Sequence, residues 1–498
     1  MSAAALAIQV DQAPLATDLA RLVTAVLVRQ ELAAPALAEI DFLVADPALF
    51  RVFRIGAALS IAVGSAGTPI FEGEVTALSH LYGPGHALAF RIRAYDRLQR
   101  LRKSFRPRLL QDVSAVDLAA SLAADLGLSA RATTDPPRRP ALVQHEQSDF
   151  DLLADLAAEA GLYPVLRDGT LLLVALDGEG AEIPLTFGRE LIELVATVSN
   201  DRNQRGSVAA SWNATAASAA TKTVTLSRQD AQEFRDTSPN EGANGHRQSL
   251  NRLAEGEAET EALAAAEFDR AVAAAASIRA TVLGDPALCP GRPVSLLGVA
   301  EPVAGRYVPS AVTHKVSADA GYLTELSSDP PARRSRPRQP AATLGVVTDT
   351  ADPEHRGRAR VAFPALGGTD SPWMQVVTAG AGEGRGLAAF PEVDDKVLVL
   401  MPDGDPARGI ILGSLYAEAG LPRGFRAARP RPFILRTGGG QRLELASTEA
   451  TARLATSAGS LLELMPGSAR LATVSDLVIE APGRTITFRA NFINFERG

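Results

Sequence analysis

Two proline- and arginine-rich breaks constrain the fold of this 498-residue chain more than any other feature. The first runs from Asp329 to Pro340 and holds four prolines and four arginines, and the second (PRGFRAARPRP) runs from Pro422 to Pro432. Because proline removes a backbone donor and fixes φ, neither a helix nor a central strand fits there. We interpret both as extended, solvated linkers, at 329–342 and 418–432. The chain is therefore predicted to have three parts, residues 1–328, 343–417 and 433–498.

Composition excludes several classes of function. A net charge of −7 and an aromatic fraction of 5% argue against nucleic-acid binding, which needs clustered Lys and Arg and stacking rings. The single cysteine, Cys289, excludes an intramolecular disulfide framework and a Cys-based metal site. The N-terminus has no signal-peptide pattern, and no apolar run approaches the ~20 residues of a membrane helix. We expect synthesis in the cytoplasm without a signal peptide.

The first part is predicted to mix helices and strands. Ser114 and Asp117 have capping-box spacing before a helix that Gly127 would end, and Ser148 begins a similar helix before Gly161. A third helix is predicted over residues 252–280, which are rich in Ala and Glu. Strands are predicted where Val, Ile, Leu and Phe cluster, at Leu22–Arg29, Ala38–Val44, Leu88–Tyr95, Pro293–Leu297, Tyr307–Val316 and Tyr322–Leu326.

The second part is predicted to be a small all-β unit. Turn-forming Gly, Asp and Pro residues separate five short apolar runs, which is typical of a Greek-key barrel of the OB type. The predicted strands are Leu344–Thr348, Ala359–Phe363, Trp373–Val377, Lys396–Met401 and Ile410–Leu415.

The third part has a coarse repeat of alternating runs and glycine turns. Gly459 and Gly467 are 8 residues apart, and Gly467 and Gly483 are 16 apart. Alternating runs lie near them at Leu443–Leu445, Leu462–Leu464 and Ile486–Phe488, a pattern typical of a β-solenoid. About 65 residues make a weak core alone, so a thin solenoid would be better stabilised by several chains wound together.

One long run of residues carries a family resemblance. From Leu344 to Tyr416 the chain resembles the spike barrel of VgrG and phage baseplate spike proteins. The matching features are a Gly-Val-Val-Thr opening, Asp352-Pro353 followed by Gly-Arg-Ala-Arg-Val, the Gly380–Gly386 loop, and Gly-Asp-Pro before Leu-Gly-Ser-Leu-Tyr. Segments at 143–163 and 291–324 are similar to the hub domain of the same family. The resemblance covers nearly the whole chain and is weakest at 165–250.

The resemblance implies a multidomain, mainly β fold. It has a mixed α/β baseplate-hub domain that adapts to the tube, an OB-type β-barrel and a C-terminal intertwined trimeric β-helix prism. The implied function is structural: the central spike and hub of a contractile injection system of the extracellular, phage-tail-like type. Such a protein links a six-fold inner tube to a three-fold membrane-piercing tip. Residues predicted to line the trimer interface inside the prism are Leu462, Leu464, Ile486 and Phe488.

The implied partners follow from the same resemblance. They are two further copies in a homotrimer, the inner tube protein, baseplate proteins, a PAAR-type tip protein and, transiently, the target cell envelope. No nucleic acid, cofactor or metal is expected. The chain is expected to be part of an assembled phage-tail-like particle, and release of that particle from the cell stays open.

Two alternatives stay open: a type VI secretion VgrG that carries effector or cargo, and a cell-wall-degrading phage spike. Residues 417–432 are too few for an inserted lysozyme domain. Asp394 and Asp395 are adjacent, so on a strand they would point to opposite faces and would not flank one glycosidic bond. We therefore predict that the protein is not an enzyme and assign no catalytic residue.

Other candidate motifs are incomplete. His145-Glu146 has Asp149 where a zinc-protease motif needs its second histidine, and the Gly380–Gly386 loop lacks the Lys-Ser/Thr of a phosphate loop. Positive-φ turns are the simpler interpretation of that loop. The six histidines have no ligand spacing, and Cys289 is interpreted as a buried or loop thiol. Residues 343–416 hold ten acidic and six basic residues, the wrong charge for a nucleic-acid groove.

Overall fold

A computed structural model describes residues 6–43, 46, 48–64, 68–83, 88–198, 206–211, 220–224, 246–249, 256–301, 303–332, 339–402, 404–416 and 431–497. Strands hold 44% and helices 15% of the structure, so the prediction of a mainly β chain is confirmed. The chain forms two compact units, Met1–Ser414 and Leu415–Gly498.

The N-terminal region, defined here as residues 6–332, contains the helices and most of the strands. Its strands are β1 (Leu6–Val10), β2 (Ala13–Pro14), β3 (Val23–Glu31), β4 (Leu37–Phe42), β5 (Ala58–Val63), β6 (Thr68–Tyr82), β7 (Leu88–Tyr95), β8 (Arg108–Val113), β9 (Ser129–Ala132), β10 (Arg139–Gln144), β11 (Leu162–Arg167), β12 (Thr170–Ala175), β13 (Ile183–Thr186), β14 (Leu191–Val198), β15 (Gly206–Ser211), β16 (Ala220–Val224), β17 (His246–Ser249), β18 (Ala276–Leu283), β19 (Val294–Leu297), β20 (Gly305–Tyr307), β21 (Ala311–Ser317) and β22 (Gly321–Ser327). Its helices are α1 (Thr17–Ala20), α2 (Leu49–Val52), α3 (Ala115–Asp125), α4 (Asp149–Glu159) and α5 (Glu257–Ala275).

A large antiparallel sheet dominates this region, in the order β14-β18-β22-β21-β3-β4-β7-β6-β5-β1-β2. Eight of its strands, from β14 to β6 in that order, form two four-stranded halves that are joined where β21 pairs with β3. One half, β3-β4-β7-β6, packs on an apolar cluster that includes Ile40 and Phe90. The other half, β14-β18-β22-β21, packs on a second cluster that includes Ile278 and Val312. The sheet therefore has two separate cores on one side.

The two predicted capped helices are confirmed as α3 and α4. Ser114 accepts from the backbone N–H of Asp117, whose carboxylate accepts from the backbone N–H of Ser114 in return. This reciprocal pair satisfies two donors at the helix start that would otherwise lack partners. Gly127 and Gly161 follow the helix ends with φ of +67° and +72°, the left-handed conformation that glycine adopts without strain. Both helices bury their apolar faces in a third cluster.

Two predicted boundaries are wrong. The third helix ends at Ala275, and Ala276–Leu283 is strand β18 instead of a continuation of the helix. Alternate side chains from Ala276 onward are buried in the sheet, so the two-residue period outweighs the helix propensity of alanine. The strand predicted over Tyr307–Val316 is interrupted between β20 and β21. Pro309 lies in the gap, where it cannot donate to a ladder.

Residues 341–414 form a small closed barrel. Its strands are β23 (Ala341–Asp349), β24 (Arg360–Phe363), β25 (Thr369–Asp370), β26 (Gln375–Val376), β27 (Lys396–Met401) and β28 (Ile410–Leu415). The sheet order is β25-β24-β23-β27-β28-β26, and a bridge between Ala359 and Met374 brings its two ends together. The five predicted strands are confirmed with shorter or longer ends, and β25 is additional. Gly345 lets β24 approach closely, since a Cβ there would lie 2.1 Å from a Val361 methyl.

The C-terminal unit contains a five-stranded antiparallel meander. Its strands are β29 (Phe433–Arg436), β30 (Arg442–Ala446), β31 (Thr451–Ala455), β32 (Leu461–Met465) and β33 (Ser468–Ala472). Of the three glycines in the predicted repeat, Gly459 and Gly483 have positive φ, as a glycine turn favours, and Gly467 does not. Gly440, outside that repeat, also has positive φ and lies between β29 and β30. The predicted 418–432 linker falls almost entirely outside the described residues, as does the 333–338 part of the first linker.

Candidate assembly surface

The strand register collects the apolar side chains of the meander on one side of the sheet. Residues that pair directly across antiparallel strands, and residues two apart along a strand, share a face. Leu443 pairs with Leu454, which pairs with Leu462. The complete set, here called the apolar face, is Phe433, Leu435, Leu443, Leu445, Ala452, Leu454, Leu462, Leu464, Ala469 and Leu471. Every one of these ten positions is apolar.

The opposite side, here called the charged face, carries a row of alternating charge. Glu444 pairs with Arg453, Arg453 with Glu463, and Glu463 with Arg470. Opposite charges directly across neighbouring strands stabilise a sheet by a few tenths of a kcal/mol to about 1 kcal/mol per pair. An all-apolar face tolerates a two-residue slip of one strand. A slip would disrupt the charged row, so that row helps to define the register.

The apolar face has no cover within the described part of its own unit. Leu454, Leu464 and Leu471 are 54%, 49% and 57% exposed. Among residues 431–497 none is buried. Apolar surface gains about 25 cal/mol for each Å² removed from water, and contiguous exposed patches of this kind mark interaction sites. The unit therefore presents an unfilled interface in place of a core.

The tail, defined as residues 473–497, continues the apolar exposure without regular structure. A turn closes where the N–H of Arg484 donates to the carbonyl of Ala481. Phe488, Phe492 and Phe495 are 69%, 87% and 95% exposed. Ile486–Phe488, one of the alternating runs of the predicted solenoid, lies outside the five-stranded sheet of the described unit.

The structure brings together two of the four predicted interface residues. Leu462 and Leu464 lie side by side on β32 and on the apolar face. Ile486 and Phe488 lie in the tail, outside the sheet. Sequence reasoning missed the contributions of Leu454 and Leu471. The repeated Ala-Arg-Leu-Ala at 452–455 and 469–472 was the signal that could have found both.

A buried carboxylate of the barrel, that of Asp352, is surrounded by hydrogen-bond donors. The Asp352 carboxylate accepts from Nε and Nη2 of Arg358, at 3.1 and 2.7 Å, and from the backbone N–H groups of Glu354 and Arg356. The hydrogen bonds from Arg358 hold the pKa of Asp352 well below its usual range. With so many donors, this carboxylate stays ionised and shapes a turn, so its arrangement is structural.

A second charge cluster ties the barrel to the N-terminal region. Glu259 of α5 accepts from Arg139 of β10 at 2.8 Å and from Arg408, just before β28, at 3.1 Å. Arg139 also contacts Glu159 of α4. All four side chains are mostly buried. Buried ion pairs that are satisfied on both sides hold elements in a defined geometry.

The remaining sequence candidates are dispersed. Asp394 lies in a turn with φ of +71°, and its neighbour Asp395 accepts from the N–H of Glu392. His145 begins no ligand set, and burial lowers the pKa of His314 to about 4. Burial also raises the pKa of the Cys289 thiol. The described residues contain no group of His, Cys, Asp and Glu arranged to hold a metal ion.

The glycine-rich loop at 380–386 consists of turns. Gly380, Gly384 and Gly386 all have positive φ, as the turn interpretation predicts. His86 lies outside the described residues, and the structure places only the backbone of His246. Within the described ranges no helix is long and apolar enough to cross a membrane.

Comparison with known proteins identifies the family. Residues 343–416 match the model of the type VI secretion system/phage-baseplate injector OB domain. Residues 6–318, well over half of the chain, match the model of the Alg8 N-terminal domain. The chain belongs to the Alg8 N-terminal domain family, and its barrel matches the injector OB domain of baseplate spikes. The predicted family resemblance is thereby confirmed.

Two solved structures share the fold of this chain. The Escherichia coli c3393 protein, a type VI secretion component similar to T4 gp27 and gp5, matches with a TM-score of 0.51 and 15% identity over 79% of this chain and 96% of its own. A Francisella PdpA–VgrG complex matches with a TM-score of 0.57 and 8% identity over 94% of this chain and 80% of its own. A search of curated proteins gives no match.

The match to the injector OB domain and the shared fold support a structural spike and hub role for the chain. The predicted multidomain β fold with an OB barrel is confirmed.

Proposed function

We propose that the protein is the homotrimeric central spike and hub of a contractile injection system. In this role it links a six-fold inner tube to a three-fold membrane-piercing tip, and it acts without catalysis. The observation that carries the proposal is the apolar face, ten apolar positions on one side of a sheet that has no core of its own.

Packing of three copies supplies the missing core. If three sheets turn their apolar faces to a common axis, each copy covers its leucines with those of two neighbours. The charged faces then point to solvent, where their alternating charges are well hydrated. The tail would extend the same three-sided prism, with Ile486 and Phe488 turned inward beside a neighbouring chain. Pairing between chains would also complete the ladder that the tail lacks in a single copy.

The N-terminal sheet supports the tube-facing half of the proposal. Each copy contributes two four-stranded halves, and each half has its own apolar cluster. Three copies would therefore present six similar surfaces to a six-fold tube. This arrangement reconciles a three-fold spike with a six-fold partner without a change of sequence.

The proposed partners follow from that geometry. They are the inner tube protein at the hub, baseplate proteins around it, a PAAR-type tip protein on the prism, and the target envelope transiently. The Francisella VgrG was solved in complex with PdpA, which is consistent with a hub that binds further baseplate components. The proposed domains keep the boundaries 1–328, 343–417 and 433–498, and synthesis in the cytoplasm precedes assembly into the particle.

Light scattering on a sizing column tests the trimer with a matched pair of variants. We expect a wild-type mass three times the 52.2 kDa of the chain. Leu462→Asp places a charge on the apolar face and should dissociate the trimer. Leu461→Asp makes the same change at the neighbouring residue on the charged face and should leave it intact.

Three outcomes would contradict the proposal. A monomeric mass for the wild-type chain would rule out the homotrimer. A trimer that survives Leu462→Asp and Leu464→Asp shows that the apolar face is not the interface. Peptidoglycan cleavage by the purified protein would instead favour the enzymatic spike.

A further inference from the structure

The barrel meets the N-terminal region at a buried ion pair. Arg408, in a single 3₁₀ turn before β28, has its Nη2 3.1 Å from Oε1 of Glu259 on α5. The two side chains are only 12% and 9% exposed. Each apolar cluster of the described residues lies wholly in one of the two regions. The contact is therefore made by charge, and no shared apolar core joins the barrel to the N-terminal region in the part of the chain that the structure describes.

Each partner of this ion pair has a second counter-charge in its own region. Glu259 also accepts from Nη2 of Arg139 on β10, at 2.8 Å. Arg408 has its Nε 3.8 Å from Oδ2 of Asp405, within the barrel. Breaking a buried ion pair is most costly when it leaves a buried charge without a counter-charge. Separation of Glu259 from Arg408 leaves neither charge in that state.

The covalent connection is long enough to let the two regions separate. The N-terminal region holds the chain as far as Pro331, whose carbonyl accepts from Nη2 of Arg270 at 2.7 Å. The first ladder of the barrel begins at Ala341, which pairs with Met401. Residues 332–340 connect these two anchors, and an extended chain of that length spans up to roughly 30 Å. The barrel can therefore be displaced without unfolding of either region.

We propose that Glu259 and Arg408 form a releasable latch, from which the barrel undocks as a folded body. In the docked state the ion pair fixes the barrel against α5. In the released state each region keeps its own apolar clusters and its own counter-charge. Under load the barrel can then yield by undocking before its core unfolds. The latch lies within one chain, so it does not depend on the proposed homotrimer.

Hydrogen exchange on the full chain measures undocking, because local openings expose amides without global unfolding. Arg408→Met removes the latch but leaves Glu259 with its partner on β10, so no buried charge is stranded. The readout is the exchange of backbone amides in two barrel segments at the contact, 366–369 and 404–409. We expect exchange in both segments to become about tenfold faster, while β27 in the barrel core keeps its wild-type rate.

The matched control removes an arginine from an exposed ion pair inside the barrel. Arg356 has its Nε 3.0 Å from Oε2 of Glu354, and both side chains are about half exposed. Arg356→Met should leave exchange in both contact segments unchanged.

A disulfide lock separates undocking from a local effect of the substitution. A Cβ at Gly367 would lie 3.9 Å from the Cβ of Pro107, across the contact, which is within the usual disulfide range. In a Cys289→Ser background, Pro107→Cys and Gly367→Cys should therefore form a bond within one chain on oxidation. That bond should restore slow exchange of residues 404–409 in Arg408→Met, and it should slow their exchange in the wild-type latch as well.

Three results would overturn the latch. Exchange in Arg408→Met at the wild-type rate shows that the ion pair does not hold the barrel, and this comparison stands even if Gly367→Cys prevents folding. Wild-type exchange that the disulfide does not slow shows a contact that never opens. Exchange of β27 that quickens together with the contact segments shows unfolding instead of undocking. The light-scattering mass should be the same in every variant, so failure of the latch leaves the proposed function standing.

Discussion

The barrel and the C-terminal unit are both built from short strands, but the barrel buries its apolar side chains and the C-terminal unit leaves them exposed. In the barrel, Val361, Phe363 and Val399 are fully buried. In the C-terminal unit, the exposed leucines of the apolar face keep between 42% and 57% of their surface accessible to solvent. Both regions alternate apolar and polar residues along their strands. Alternation therefore specifies which face is apolar, but not what will cover it.

Sheet closure explains the difference. The barrel's sheet returns on itself at the bridge between Ala359 and Met374, so its inner face encloses a core. The meander ends at β33 and remains open. A single open sheet cannot bury its own face. The barrel should therefore be stable in a single chain, whereas the C-terminal unit should depend on assembly.

The largest expected effect is on the barrel core. Phe363→Ala should lower the free energy of unfolding by about 4 kcal/mol, because it removes a buried ring and leaves a cavity. The chain has two tryptophans, so a Trp212→Phe background makes Trp373 of the barrel the reporter in a urea titration. Leu344→Ala, on the exposed outer face, should change stability by no more than about 0.5 kcal/mol. Equal losses in both variants would contradict a self-sufficient barrel core.

The next effect concerns the tail of the C-terminal unit. Phe488→Asp should weaken the trimer by about 3 kcal/mol, since a charge would enter an apolar interior between chains. Thr487→Asp, one residue earlier, is the matched control and should change the mass little. The dependence of the light-scattering mass on concentration measures both. An unchanged trimer in Phe488→Asp would show that this ring faces solvent.

A smaller effect concerns the buried carboxylate of the barrel. Asp352→Asn should cost about 2 kcal/mol, because it weakens charged hydrogen bonds to Arg358. The pKa of Asp352 lies below its usual range in the folded state. Its stabilisation is therefore complete above the ordinary carboxyl pKa of about 4 and is lost as the pH falls below that value.

Thermal unfolding across the acid range measures this linkage through Trp373. The wild-type barrel should lose stability between pH 5 and pH 2 more steeply than the Asn variant, with the pH window set by the approximate carboxyl pKa. Parallel curves would show that Asp352 does not contribute the difference.

The smallest effect concerns the charged face. Glu463→Arg sets three positive side chains in one row with Arg453 and Arg470, and should destabilise the trimer by about 1 kcal/mol. Reversing all four charges of the row, at positions 444, 453, 463 and 470, restores opposite pairs and should recover the wild-type melting temperature. If the fourfold variant does not recover the wild-type melting temperature, the stability depends on the position of each charge and not on the pairing of opposite charges.

Local signals in the sequence predicted much of this fold. The capping box at Ser114, the N-cap at Ser148, the glycine stops and the five barrel strands depend on residues close together in the chain, and all are present. Errors occurred where distant packing competed with propensity. Ala276–Leu283 forms a strand instead of the end of the predicted helix, because its alternate residues are buried in the central sheet.

The amino-acid order was enough to predict which residues alternate with polar ones, where the chain turns, and which family it resembles. These properties rest on side-chain polarity, on glycine and proline geometry, and on ordered motifs within a few dozen residues. That Leu462 and Leu454 share a face with Leu471, while Phe488 lies outside the sheet, became visible only in the folded chain. Which strands form the edges of the central sheet was likewise visible only there. Register and closure arise from contacts between distant strands, and no local pattern encodes them.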